Sequence, residues 1–218
     1  MIPVLFIGFR RPEETRRVID HLVSQNIGTL YVAMDGPRDS AEVGLTDQAR
    51  CTCKEAIPTD INVRYLFSDT NLGIEHFPPT AIDWFFNHEK YGLIIEDDVL
   101  IHRDFIVFAD HYLKDGKAPV VSASLFVEEK FDQYDMKPFK TPIISVWGWG
   151  TTSSTWVAYR QSKLEFSSPL RVFRQLIRTL TAPQALVFAM CLYYISIGKL
   201  ATWDYQFAYY LLKNGIYT

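Results

Sequence analysis

The chain has 218 residues, of which 48% are apolar and 22% charged, with a formal net charge of −3. This is enough apolar material for one α/β domain, and no basic stretch interleaved with stacking aromatics marks a nucleic-acid protein. Cys51, Cys53 and Cys191 follow no framework spacing, so a reducing, cytoplasmic setting without disulfides is expected.

Residues 2–8 read as a first strand, with no charged leader and cleavage site before it, so no signal peptide is expected. Arg10-Arg11-Pro12 breaks that strand, and residues 13–24 have helical periodicity with Val18, Ile19 and Leu22 inward. Residues 29–34 are a second strand, ending in the turn cluster Asp35-Gly36-Pro37-Arg38. A helix over 45–57 is closed by Pro58, and Cys51 and Cys53 are ordinary residues of it rather than half of a metal site. Residues 62–67 form a third strand, followed by a polar loop over 68–73. A third helix spans 74–87, its start blurred by Pro78-Pro79.

Residues 91–101 form the stretch on which the rest turns. A short apolar strand, 93–95 at its centre, empties into Glu96-Asp97-Asp98. Adjacent carboxylates repel, and a fold keeps three of them near its core for a hard divalent cation, often one carrying a nucleotide diphosphate. A solvated acidic turn is the plain alternative. Strands alternating with helices at this spacing predict βαβ units and a mostly parallel sheet, whose ligands sit outside the carboxyl ends of the strands. Arg10-Arg11, Asp35, the 71–73 loop and the three acids all follow strands, which predicts one site.

In the second half, 105–113 is a helix, 119–124 a strand and 126–140 a loop over the site. Residues 141–145 lead into Val146-Trp147-Gly148-Trp149-Gly150-Thr151. Indoles between glycines suit the stacking of a sugar, and suit a core equally. Residues 153–160 and 170–180 look helical. The apolar stretch 183–199 is shorter than the roughly 20 residues of a membrane span and reads as a buried helix. Arg171, Arg174 and Arg178 share one helical face before it, a combination that also suits peripheral contact of the 170–199 region with the inner face of a membrane. Thr202-Trp203-Asp204 opens a last helix through Leu212, with Thr202 or Asp204 as its cap. Residues 214–218 resemble a turn and the first residues of a strand, as in a piece of a longer protein.

Neither G-x-G-x-x-G nor G-x-x-x-x-G-K-[ST] is present, which argues against a dinucleotide dehydrogenase and a P-loop nucleotidase. The charge of a bound diphosphate would have to be met by metal and arginine. Asp98 is the natural ligand for Mn2+ or Mg2+ and Arg11 the natural phosphate partner. His102 is a weaker candidate for a second ligand.

Taken in order, these stretches resemble a GT-A-fold glycosyltransferase with a nucleotide-sugar donor. They are most similar to the Golgi N-acetylglucosaminyltransferase that starts complex N-glycans and to its bacterial relatives. The resemblance rests on Val4-Leu5-Phe6-Ile7 with Arg11, on Asp35, on His76 after Asn71-Leu72-Gly73, on Ile95-Glu96-Asp97-Asp98 with Asp104-Phe105, on Trp147-Gly148-Trp149, and on Trp203-Asp204. It implies a Rossmann-like three-layer α/β sandwich forming a single catalytic domain over 1–218. Residues 1–115 would bind the donor, and 116–218 would form an acceptor side cut short at its C-terminus. The family's N-terminal membrane anchor has no counterpart. By resemblance, Asp98 ligates the metal, Asp97 the ribose and Glu96 the transferred sugar. Arg11, Asp35, His76 and Trp149 contribute to donor binding, and Asp204 is the base of an inverting transfer to a glycan, lipid-linked or protein acceptor, with a UDP-sugar favoured. A sugar-phosphate nucleotidyltransferase and a non-catalytic carbohydrate-binding module are the competing readings.

Overall fold

The computed structural model describes residues 1–123 and 138–218. In chain order the elements are β1 (Val4–Gly8), α1 (Pro12–Ser24), β2 (Leu30–Met34), α2 (Val43–Ala56), β3 (Val63–Phe67), α3 (Gly73–Phe86) and β4 (Tyr91–Glu96). They continue with α4 (Arg103–Lys114), β5 (Val120–Ser122), β6 (Trp149–Thr152), α5 (Ser153–Gln161), α6 (Pro169–Leu176), α7 (Ala182–Ser196) and α8 (Asp204–Lys213). The strands form one sheet in the order β3-β2-β1-β4-β6-β5. The first four are parallel, and β6 runs antiparallel between β4 and β5.

Strand alternation divides the core into two layers. Val4, Phe6, Leu30, Val32, Leu93 and Ile95 point to one face, where α1, α2 and α4 supply Ile19, Leu22, Ala49, Cys53 and Leu113. Leu5, Ile7, Tyr31, Ala33 and Ile94 point to the other, where α3, α5 and α8 supply Phe77, Phe85, Trp156, Tyr159 and Phe207. With both faces covered, the central strands can be apolar throughout, and β1 and β2 are buried at every position. The three-layer, mostly parallel α/β arrangement is therefore as expected from the alternation of elements.

Several boundaries differ from the sequence reading. Helix α2 starts two residues earlier, at Val43. Helix α3 runs through Pro78 and Pro79. Their missing N–H groups would have met carbonyls of Ile74 and Glu75 in the first turn, where Ile74 is exposed, while both proline rings are buried. The Trp-Gly segment continues into a strand, β6, over Trp149–Thr152. The 126–140 loop expected over the site falls mostly on 126–137, outside the described residues.

Helix α6 ends at Leu176, short of the 170–180 expected, and α7 buries Ala185, Ala189, Leu192 and Ile195 on one face while Leu186 and Val187 stay exposed. Val172, Leu176, Ala185, Ala189, Leu192 and Ile195 pack this pair against Tyr209 and Leu212 of α8. Among the described residues no helix is long and apolar enough to cross a membrane. Cys51, Cys53 and Cys191 are free, and Cys53 packs in the core against Met34.

Candidate active site

Parallel pairing puts the C-terminal ends of β1 to β4 on one sheet edge, so Arg10-Arg11, Asp35, the 68–73 loop and Glu96-Asp97-Asp98 emerge together. Because β6 runs the other way, Trp147 and Gly148, which precede it, lie at the same edge.

The Val99 N–H donates to the Glu96 carbonyl (3.1 Å), closing a turn with Asp97 and Asp98 at its centre. The Asp97 residue is 5% exposed, whereas the Asp98 side chain is 52% exposed. Arg11, immediately before α1, grips both. Its Nε donates to Asp97 Oδ2 (3.2 Å), and its Nη2 donates to Asp97 Oδ1 and to Asp98 Oδ2 (3.2 Å). The fork of two bonds to one carboxylate is the arginine's preferred geometry. The Asp97 bond raises the Arg11 pKa, so the guanidinium stays charged. Burial pushes Asp97 up, opposed by the Arg11 bond. Downstream, the ring of His21 donates to the Ile101 carbonyl (2.7 Å), tying this loop to α1.

Among the described residues Glu96 has no such partner. Its pKa is pushed up to about 7, first by burial and then by the charges of Asp98, Asp97 and Asp204. The last contribution brings the other half of the chain into the site. Asp204 is the first residue of α8, and its neighbour Trp203 is buried with Trp149, Trp156 and Phe207. The Trp149 and Trp203 rings lie 5.9 Å apart, and Trp149 pairs with Ile94, two residues before Glu96. This aromatic cluster seats the start of α8 beside the acid turn. Trp203 occupies the cap position without a side-chain bond. The expectation that Thr202 or Asp204 caps α8 is therefore corrected: the Thr202 hydroxyl donates to the Asp204 carboxylate instead.

Other candidates find different places. Trp149 is fully buried and offers no face to a donor; it is a core residue, and its influence on the site runs through α8. The exposed indole is Trp147, which lines a cleft of about 680 Å³ with Asp98, Leu100, Phe105 and Ala123. The two tryptophans diverge because Gly148 between them has φ +75°, and a Cβ there would lie 2.8 Å from Ile101.

Asp35 is equally committed. Oδ1 accepts from the Gly36 and Leu72 N–H groups, and Oδ2 from the Gly73 N–H and the Asn71 amide, all within 3.0 Å. A carboxylate has about four acceptor positions, so Asp35 braces the 71–73 loop rather than presenting lone pairs to a base. His76 is exposed on α3, and no polar contact among the described residues joins it to the acids. His102 caps α4, its Nδ1 accepting from the Asp104 N–H (3.2 Å), which accounts for it without a metal.

The sequence reading missed the supports. Glu42 is buried and accepts from Arg38 and Arg10, whose guanidiniums both lie over the Phe9 ring. This interaction sets the Glu42 pKa down to about 2, through the Arg38 bond first. The i,i+4 spacing of Arg38 and Glu42 was the available signal. Arg50 of α2 donates to the carbonyls of Asp35 (3.1 Å) and Ser68 (2.5 Å), tying two site loops together with nothing in the local sequence to announce it.

Among the described residues no group of three or more His, Cys, Asp or Glu side chains is placed to hold a metal by itself. The donor set is instead two carboxylates that share Arg11, the exposed Asp98 and the buried Asp97. Such a set fits a hard cation whose shell is completed by phosphate oxygens and water.

No protein-family model matches the chain, and no curated protein matches it. Among solved structures, it is similar to the mannosyltransferase PcManGT from Pyrobaculum calidifontis, determined with GDP-Man and Mn2+. That likeness has a TM-score of 0.53 at 15% identity and covers 98% of this chain and 79% of that one. A likeness to 4-diphosphocytidyl-2C-methyl-D-erythritol synthase from Anaerococcus prevotii has a TM-score of 0.41 at 12% identity, covers 85% and 95% of the two chains, and carries no weight at that level. At these identities the likeness speaks for architecture: the chain has a Rossmann-like α/β fold of the GT-A kind.

Proposed function

We propose that the chain is a metal-dependent glycosyltransferase acting with inversion. It would move a sugar from a nucleotide diphosphate donor to a hydroxyl of a glycan, lipid-linked or protein acceptor. The observation that carries this reading is the convergence of Glu96-Asp97-Asp98, ending β4, with Asp204, opening α8. A similar fold in a mannosyltransferase solved with GDP-Man and Mn2+ supports it.

In this reading residues 1–115 form the donor half and 116–218 the acceptor half of one catalytic domain. Asp98 would hold Mn2+ or Mg2+, which when bound neutralises charge on the leaving diphosphate. Arg11, released from Asp98, meets a phosphate while keeping Asp97 paired, and Asp97 takes the ribose. Glu96 contacts the transferred sugar. His76 approaches the nucleotide from α3. Asp204 accepts the acceptor proton. The family resemblance favours a UDP-sugar, for hexosyl or N-acetylhexosaminyl transfer, and the structural neighbour makes GDP-mannose the first competitor to test.

A thermal-shift screen of UDP- and GDP-sugars with and without Mn2+ tests the reading, since a ligand bound only by the native state raises Tm by mass action. A metal-dependent rise that disappears in Asp98→Ala is expected. Asp204→Asn should keep the rise while transfer falls about 10²- to 10⁴-fold. Absence of any nucleotide-sugar effect with metal present would overturn the assignment.

A further inference from the structure

We infer that α6, the turn after it and the outer face of α7 form a docking surface for an anionic lipid bilayer. The first observation is a segregation of charge. Residues 166–203 contain Arg171, Arg174, Arg178 and Lys199 and none of the 25 Asp and Glu residues, so the remainder carries 18 bases against those 25 acids. A basic hairpin is thus mounted on an acidic body.

The second observation is how the bases are arranged. At 100° per residue, Leu170, Arg171 and Arg174 of α6 fall on one face, opposite the buried Val172 and Leu176, and Ile177 and Arg178 follow in the turn after it. All five are exposed. The three arginines line an open pocket of about 330 Å³ with Ser168 and Gln175. Arg171 pairs with the exposed Glu165, and Arg174 and Arg178 have no ion pair among the described residues. On α7, Leu186, Val187, Tyr194 and Ile197 share the face opposite Ala185, Leu192 and Ile195, with Leu186 54% and Val187 56% exposed.

Guanidiniums interleaved with bare aliphatic side chains match a bilayer surface, where phosphates lie just above acyl chains. A second copy of the chain is disfavoured, because a two-fold contact would bring like-charged faces together. Free phosphate would leave the aliphatic side chains unexplained. The 15-residue α7 is too short to span, so the hairpin lies on the bilayer rather than through it.

Flotation of the intact chain with vesicles tests this independently of donor binding. The chain should float with phosphatidylglycerol–phosphatidylcholine vesicles, not with phosphatidylcholine alone, and release at high salt. Each basic residue near an anionic surface is worth roughly fivefold, so R171E/R174E/R178E should weaken binding about a hundredfold or more. L186S/V187S should weaken it severalfold. Both variants should keep the wild-type Tm and any nucleotide-sugar thermal shift. Four results would each overturn the inference: no flotation, equal flotation with neutral vesicles, complete competition by inorganic phosphate, or a concentration-dependent dimer broken by L186S/V187S.

Discussion

Asp35 and Asp97 make an instructive pair. Both follow a parallel strand, and both are 5% exposed. Their charges are met differently. Asp35 is held by three backbone N–H groups and an asparagine amide, all from its own corner of the sheet. Asp97 is held by Arg11, a half-exposed side chain that also reaches Asp98. Backbone donors cannot leave without unfolding the loop, whereas an arginine can exchange partners. The β2 corner is therefore built to stay and the β4 corner to respond to a ligand. Glu96, next to Asp97, has neither solution among the described residues, and its pKa is raised to about 7 by burial and by the neighbouring acids.

Three substitutions would break or sharpen this contrast. Asp35→Ala should have the largest effect on stability, about 3 kcal/mol, because it orphans several donors that served a charged acceptor. Chemical denaturation measures it, and a loss below 1 kcal/mol would mean that the loop holds without its brace. Next is Glu96→Gln. A carboxyl near 7 in the native state and near its ordinary value when unfolded binds more protons folded than unfolded between those values. Stability of the wild type should therefore fall as pH rises from about 4.5 through 7 and level off above. Relative to Glu96→Gln in chelator, the swing should be about 3 kcal/mol; a difference that is flat with pH refutes it. Smallest is Arg11→Ala, at about 2 kcal/mol, since Asp97 is left buried without its partner but Arg11 itself is half solvated. Asp97→Asn added to Arg11→Ala should recover most of that loss, while Asp35→Ala should not be rescued by it.

The fold was legible where periodicity carried it. β1, β2 and β4 are apolar runs, β3 is apolar but for Arg64, and the turns after them are marked by charge, Pro and Gly. The acid turn was legible for the same reason, as an apolar run ending in three carboxylates. The partners of Asp35 were not, because the donors come from a loop after another strand and their convergence exists only once β2 and β3 pair. Alternation alone puts Trp147 and Trp149 on the same face of an extended segment. A positive φ at Gly148 sends one to the cleft and the other to the core.

The placement of β6 has a consequence for how the chain can be handled. It enters between β4 and β5, although it is the last strand made, so β4 cannot be paired on both sides until residues 149–152 arrive. A fragment ending near Lys114 would contain Arg11, Asp35 and Glu96-Asp97-Asp98 and yet present Tyr91–Ile94 as a bare, apolar sheet edge, the kind of surface that pairs with other chains. The same ordering makes closure of the sheet a late, long-range step in folding. Attempts to isolate residues 1–114 should therefore yield aggregates, and supplying 149–218 as a second chain should recover soluble material by completing that edge and the Trp149 cluster together.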